Sequence, residues 1–346
     1  MTNTSDAEAL EIADLSPEDW NDYAIQQGWS DGLPMVMPTE AAVEKFVAAA
    51  GRVDNDTFQP ISPRQVVPTL RSLAANAVMA GCKPEYFPVV LAGLRSVLNP
   101  DYNLHGTLAT THPCAQLMVI NGPLRTELDI NCGSNCLGQG RRANATIGRA
   151  LQLILLNVGG AKPGDMDRAT QGSPAKFAYC LGENEEASPW EPYHVRKGFA
   201  ATDSVVTCMA AEAPHNINDH ASNTGEGLVM TVAGTMSQVG TNNTYLKGPC
   251  FVVLGPEHAQ TMHRDGWSPK KLQEALYERS RIHVSRLSKE NLESWAGQDR
   301  HPVNGHYYIG SSPDDINVIV AGGPGKHSVF IPSFGNTAAS SSKVTR

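Results

Sequence analysis

The segment Asn131-Cys132-Gly133-Ser134-Asn135-Cys136-Leu137-Gly138-Gln139-Gly140-Arg141-Arg142 places two thiols and two arginines in one glycine-rich stretch. It leads into Ala143–Val158, whose apolar spacing predicts a helix. The first turn of a helix has unpaired N–H groups and partial positive charge, which bind anions and lower the pKa of a nearby thiol. Cys136 or Cys132 is therefore the expected nucleophile, and Arg141, Arg142 and Asn144 are expected to hold an anionic group of the substrate. The alternative is a tight turn whose glycines serve the backbone and whose thiols fill the core. The glycine spacing matches neither a dinucleotide fingerprint nor a P-loop, so no nucleotide site is expected here.

Three further constellations carry chemistry. Thr110-Thr111-His112-Pro113-Cys114 sets an imidazole where it could act as a base for a thiol. Cys208, Glu212, His215, Asp219 and His220 concentrate metal-ligating groups after a strand end. In that stretch Cys208, His215 and His220 form the alternative reading, a Zn or Fe site. Pro214 prevents a helix from placing Glu212 and His215 on one face. His215 and His220 are equally suited to general acid–base work. Gly322-Gly323-Pro324-Gly325-Lys326-His327-Ser328 follows an apolar run; its amides, with Lys326 and His327, fit an anion. Glu257 and His258 lie just past another strand. Glu183, Glu185 and Glu186 read as a solvated acidic loop.

The elements that must position these groups follow from pattern and punctuation. Residues 1–15 form a loose lead-in, expected to be flexible. Residues 16–100 are helical in pattern, with starts at Ser16-Pro17-Glu18-Asp19 and Pro38-Thr39-Glu40, then Arg64–Ala80 and Tyr86–Leu98. Leu117–Pro123, Ser204–Met209, Cys250–Leu254 and Ile316–Val320 read as buried strands, and Glu226–Met236 and Ser268–Arg281 as helices. The reading is an α/β protein: a helical N-terminal region, then a mixed α/β catalytic core over 101–335, then a disordered tail over 336–346. Val119-Ile120-Asn121-Gly122-Pro123 and Val253-Leu254-Gly255-Pro256 both end in Gly-Pro, each with Pro-Cys upstream. This recurrence leaves open a core of two similar halves meeting near 159–202.

A chain of 346 residues with 41 % hydrophobic content can bury a large core. Its net charge of -8 argues against nucleic acid and against anionic membrane surfaces as partners. No run reaches the roughly 18 apolar residues of a membrane span, and the acidic start does not read as a signal peptide. Seven cysteines, an odd number, read as reduced thiols in a cytoplasmic protein.

Trp29-Ser30-Asp31-Gly32-Leu33-Pro34, Ala80-Gly81-Cys82-Lys83-Pro84-Glu85-Tyr86, Arg142–Arg149 and Gly255-Pro256-Glu257-His258-Ala259 together resemble a bacterial family related to the UGSC-type (seleno)proteins. The Sec-Gly-Ser-Cys motif of that type is not reproduced, because Asn135 stands between Ser134 and Cys136. The resemblance implies a bacterial enzyme to which cysteine chemistry is open.

The expectation is an enzyme acting on a small polar, carboxylate-bearing substrate by cysteine-dependent hydrolysis or C–X bond cleavage or addition. Cys136 or Cys132 would attack, His112, His215 or His220 would move protons, and Arg141, Arg142, Asn144, Lys326 and His327 would bind substrate. No cofactor is required by this reading. Dithiol exchange fits less well, since Cys-x-x-Cys spacing is missing. The rivals are a metal-dependent hydrolase or lyase at Cys208, His215 and His220, and a non-catalytic small-anion binding protein. Self-association into a homo-oligomer is common for enzymes of this size.

Overall fold

The computed structural model describes residues 15–51 and 58–346, so the expected flexible lead-in falls almost wholly outside the described residues. Four helices open the described chain: α1 (Pro17–Gln26), α2 (Glu40–Ala49), α3 (Leu70–Met79) and α4 (Phe87–Val97). The side-chain oxygens of Ser16, Thr39 and Thr69 accept N–H groups of the first turns, as helix-start residues do. The third helix is shorter than the Arg64–Ala80 pattern suggested. Pro68 disfavours helical backbone before it, and Thr69 sets the cap.

The core follows as α5 (Leu104–Leu108), β1 (Ala115–Asn121), α6 (Leu124–Glu127), α7 (Arg142–Asn157), β2 (Cys180–Gly182), α8 (Tyr193–Arg196), β3 (Val205–Ala211) and β4 (His215–Asn218). Next come α9 (Gly225–Met236), α10 (Asn242–Leu246), β5 (Cys250–Leu254), α11 (Pro256–Arg264), α12 (Pro269–Arg279), β6 (Ile282–His283) and α13 (Lys289–Gly297). The chain ends with β7 (His306–Tyr307), β8 (Ile316–Val320), β9 (His327–Ile331) and β10 (Ser340–Lys343). None of the helices among the described residues is long and apolar enough to cross a membrane.

Two four-stranded sheets share one layout: β10-β3-β1-β2 and β4-β9-β5-β8. In each, a central strand has a parallel neighbour on one side and an antiparallel one on the other (β2 and β3 beside β1, β8 and β9 beside β5). The outermost strand of each sheet comes from the chain of the other. β4 follows β3 but pairs with β9, and β10 follows β9 but pairs with β3. The crossovers touch, with Glu212 N donating to Pro332 O at 2.9 Å.

Strand alternation explains the layering. Leu117, Val119, Met209 and Ala211 from the first sheet meet Phe251, Val253, Ile319 and Ile331 from the second in one apolar interior. The opposite faces carry helices: Met118, Ile120, Val206 and Cys208 pack under α3, α4 and α7, and Val252, Leu254 and Val318 under α9, α11 and α12. The molecule is thus an α/β protein with helix, sheet, sheet and helix layers.

Two expectations are corrected. The tail expected to be disordered forms β10, because Ser340–Lys343 satisfies the edge of β3. The stretch that carries His215 and His220 does not simply trail a strand end: His215–Asn218 forms a strand of its own, β4, whose exposed side chains hide the pattern.

Candidate functional site

The parallel strands of both sheets end at one place. β1 runs into Asn121-Gly122-Pro123, β2 into Glu183-Asn184-Glu185-Glu186, and β8 into Ala321-Gly322-Gly323. Asn184 N donates to Val320 O at 2.7 Å, and Gly322 N to Cys132 O at 2.8 Å, so the carboxyl ends of β2 and β8 abut. Carboxyl ends of parallel strands are where α/β sheets commonly place their sites.

A polar cluster fills this position. Asn121 Nδ2 donates to Glu183 Oε2 at 2.5 Å and to Glu185 Oε1 at 3.0 Å. Gly122 N donates to Glu185 at 2.7 Å, and Tyr193 N to Glu183 at 2.7 Å. Arg125, on α6, donates from Nη2 to Glu186 at 2.6 Å and from Nη1 to Cys132 Sγ at 3.2 Å. Its Nε lies 3.8 Å from Glu185. Gly182 makes this packing possible, since a Cβ there would lie 2.8 Å from Arg125 Cδ and 3.2 Å from Cys132 Cβ. His194 is buried beside Glu185, with both ring nitrogens unpartnered.

Burial sets the proton affinities here. Glu183 is fully buried and its carboxyl is pushed up to about 7, although the Tyr193 amide, Arg196 and Asn121 oppose the shift. Burial also raises the Cys132 thiol, with Arg125 pulling the other way. Arg125 holds Glu186 below the usual carboxylate range.

The expected helix-start thiolate is not formed. α7 begins at Arg142, and both cysteines sit upstream in the turn at 132–138. Cys136 is 8 % exposed, packs into the interior between the sheets, and is pushed up to about 11 by burial. Cys132 is half-buried and is the thiol that reaches the polar cluster.

The expected substrate holders are also reassigned. Asn144 ties the turn together: its Oδ1 accepts Asn131 N at 2.7 Å and its Nδ2 donates to Asn131 O at 3.0 Å and Cys180 O at 3.1 Å. Arg142 is engaged with the carbonyls of Gly81 and Cys82, while Arg141 is exposed and faces Asp129 at 3.5 Å. The glycine loop 322–325 is no open anion cradle: Gly322 N is taken by Cys132 O, and Gly325 N by Glu257 Oε1 at 2.7 Å.

Lys326 donates to His220 O at 3.1 Å, and His327 Nε2 lies 3.2 Å from His220 Nε2. His327 Nδ1 pairs with Asn216 Oδ1 at 3.0 Å. The glycine loop therefore runs from Cys132 to this histidine pair. His258, beside it, is buried between Ser328 and the Asp219 carbonyl.

His112 does not serve Cys132. It precedes the amino end of β1, roughly 20 Å of strand away from the cluster. There its Nε2 pairs with Glu212 Oε1 at 3.0 Å, which also accepts Asn242 N at 3.1 Å. Cys208 points into the helix layer of the first sheet, toward Gly93 O at 3.6 Å, whereas His215, on β4, and His220, just past its end, are exposed beside the second. The alternative metal set thus does not converge. Among the described residues, no group of three or more His, Cys, Asp and Glu side chains is arranged to hold a metal ion.

Asn121, Arg125, Glu183, Glu185 and His194 were not singled out as a site by the sequence. β2 is three residues long, too short for a period to show, so the acids after it read as a loop. Compared with models of known families, with curated proteins and with solved structures, the chain shows no match.

Proposed function

We propose that the chain is an enzyme that uses Cys132 as nucleophile on a small polar substrate, by hydrolysis or by cleavage of or addition to a carbon–heteroatom bond. The observation that carries this reading is the contact between Cys132 Sγ and the Arg125 guanidinium at 3.2 Å, at the carboxyl ends of the parallel strands. Of the seven free cysteines, Cys132 is the one that is not buried.

At rest the thiol is protonated, because burial outweighs the pull of Arg125. Attack needs a proton acceptor, and the cluster holds two carboxyl groups linked by Asn121, Glu185 and Glu183. With its carboxyl near 7, Glu183 can both take and return a proton at neutral pH. A substrate carboxylate that displaces the exposed Glu186 from Arg125 would bind next to the sulfur, which is how a carboxylate-bearing substrate fits the site. Free thiols throughout the chain suit a reducing, cytoplasmic compartment.

The test is a burst assay with p-nitrophenyl acetate. Acyl transfer to sulfur should release one equivalent of nitrophenolate per chain, with the burst lost in Cys132→Ser and kept in Cys136→Ser. A burst of equal size in Cys132→Ser would overturn the assignment.

A further inference from the structure

β4 and β9 are antiparallel neighbours, and their ends bring two exposed imidazoles together. His327 opens β9, and His220 lies two residues past the end of β4. Their Nε2 atoms are 3.2 Å apart, with the rings at 78° to one another. Histidine nitrogens bind zinc-like ions at about 2.0–2.1 Å, so two of them at this separation subtend about 103° at a shared ion. That angle falls between the octahedral value of about 90° and the tetrahedral value of about 109°.

The surrounding groups hold both rings in place. His327 Nδ1 donates to Asn216 Oδ1 at 3.0 Å, since that oxygen can only accept, and the Nε2 of the neutral ring therefore presents a lone pair. An outer hydrogen bond of this kind is what orients ligating histidines. His220 is fixed through its backbone, where Lys326 Nζ donates to its carbonyl at 3.1 Å. The residue before it, Asp219, accepts from Ser222 N at 2.9 Å, Thr231 Oγ1 at 2.6 Å and His258 Nε2 at 3.1 Å. The Lys326 charge opposes a cation, and two carboxylates offset it: Asp219, next to His220, and Glu257, which accepts Gly325 N.

The geometry points to a two-histidine site for a divalent d-block ion of the zinc class, with His220 Nε2 and His327 Nε2 as its protein ligands. Imidazole suits such ions, whereas magnesium and calcium take oxygen ligands. The ion replaces the hydrogen bond between the rings: the proton on His220 Nε2 moves to Nδ1, and none is gained or lost. No third His, Cys, Asp or Glu side chain among the described residues joins the pair, so water completes the coordination and the site stays open to a further donor. None of these groups belongs to the Arg125 cluster, so the site does not rest on the role proposed for Cys132.

The test is calorimetric titration of the full chain with zinc chloride at neutral pH, run also in Cys132→Ser so that capture by that thiol is seen separately. One equivalent should bind in both, and His220→Ala and His327→Ala should each weaken it by roughly tenfold or more. Asn216→Ala should weaken it by about tenfold, as loss of an outer partner does, and His215→Ala should leave it unaltered. Magnesium should give no heat. If an alanine variant does not fold, His327→Gln provides the same comparison. Zinc affinity unaltered in His220→Ala or in His327→Ala would overturn the inference. So would no binding at millimolar zinc, which would mean that the two rings share a hydrogen bond only.

Discussion

Cys132 and Glu186 share one cation: Arg125 Nη1 lies 3.2 Å from the sulfur while Nη2 holds the carboxylate at 2.6 Å. Arg125 is 5 % exposed and Glu186 67 %, so of these two the carboxylate is the partner free to leave. Whatever changes the pairing on one side of the guanidinium changes the proton affinity of the thiol on the other.

Glu186→Gln should therefore activate Cys132. It removes a charge that raises the thiol and leaves Arg125 less compensated. Since one pKa unit is about tenfold in thiolate fraction, alkylation by iodoacetamide at pH 8 should accelerate several-fold. Arg125→Gln should act in the opposite sense, because the same guanidinium is the charge that favours the thiolate. Second-order rates for the two variants, measured against the unaltered chain, decide the point. Matching signs would rule out the shared-cation account.

Glu183 should make stability depend on pH. Its carboxyl is pushed from 4.5 up to about 7 in the folded chain. Between those values the folded state holds a proton that the unfolded state has released. Stability should then fall as pH rises from about 4.5 to about 7 and level off above, by about 3 kcal/mol in total. Urea unfolding at pH 5 and pH 8 should show this loss in the unaltered chain and a much smaller one in Glu183→Gln.

Much of the frame was legible in the residues, and the reasons are physical. Cys250–Leu254 and Ile316–Val320 are buried on both faces, so they appear as unbroken apolar runs. Thr39 and Ser268 announced their helices because a capping hydroxyl is a local device. The repeated Gly-Pro after Asn121 and Leu254 marks the end of the central strand in both sheets. What failed to show was long-range. The exchange of β4 and β10 depends on pairing across the molecule, and both segments are polar because each lies at a sheet edge. The site was half visible: Cys132 stood out by type, but Glu183, Arg125 and His194 are separated in sequence and meet only after folding. Cys136 looked equivalent to Cys132, yet the turn sends it into the interior.

Asn144 should matter for stability rather than for substrate binding. Its carboxamide bonds the Asn131 amide, the Asn131 carbonyl and the Cys180 carbonyl. Asn144→Ala leaves buried backbone groups unpaired, and a loss of about 3 kcal/mol follows from the usual cost of such groups. Chemical denaturation is the check, and a change below about 0.5 kcal/mol would mean that the turn is held some other way.

Removing residues 337–346 should destabilise the chain and make it sticky. β10 covers one edge of β3, with Thr207 and Ser341 hydroxyls 2.8 Å apart, and Val344 N donates to Ser204 O at 2.8 Å. An uncovered edge presents unpaired backbone groups to other chains. The melting temperature should drop by about 5 °C, and light scattering should report more association than in the full chain.

The most direct test of the central claim is iodoacetamide mapping of all seven cysteines in the native chain by peptide mass spectrometry. The expected result is modification of Cys132 well ahead of the six buried thiols, with Cys136 reacting only after denaturation. Protection of Cys132 equal to that of Cys136, or faster reaction at any other cysteine, would contradict the placement of the nucleophile beside Arg125.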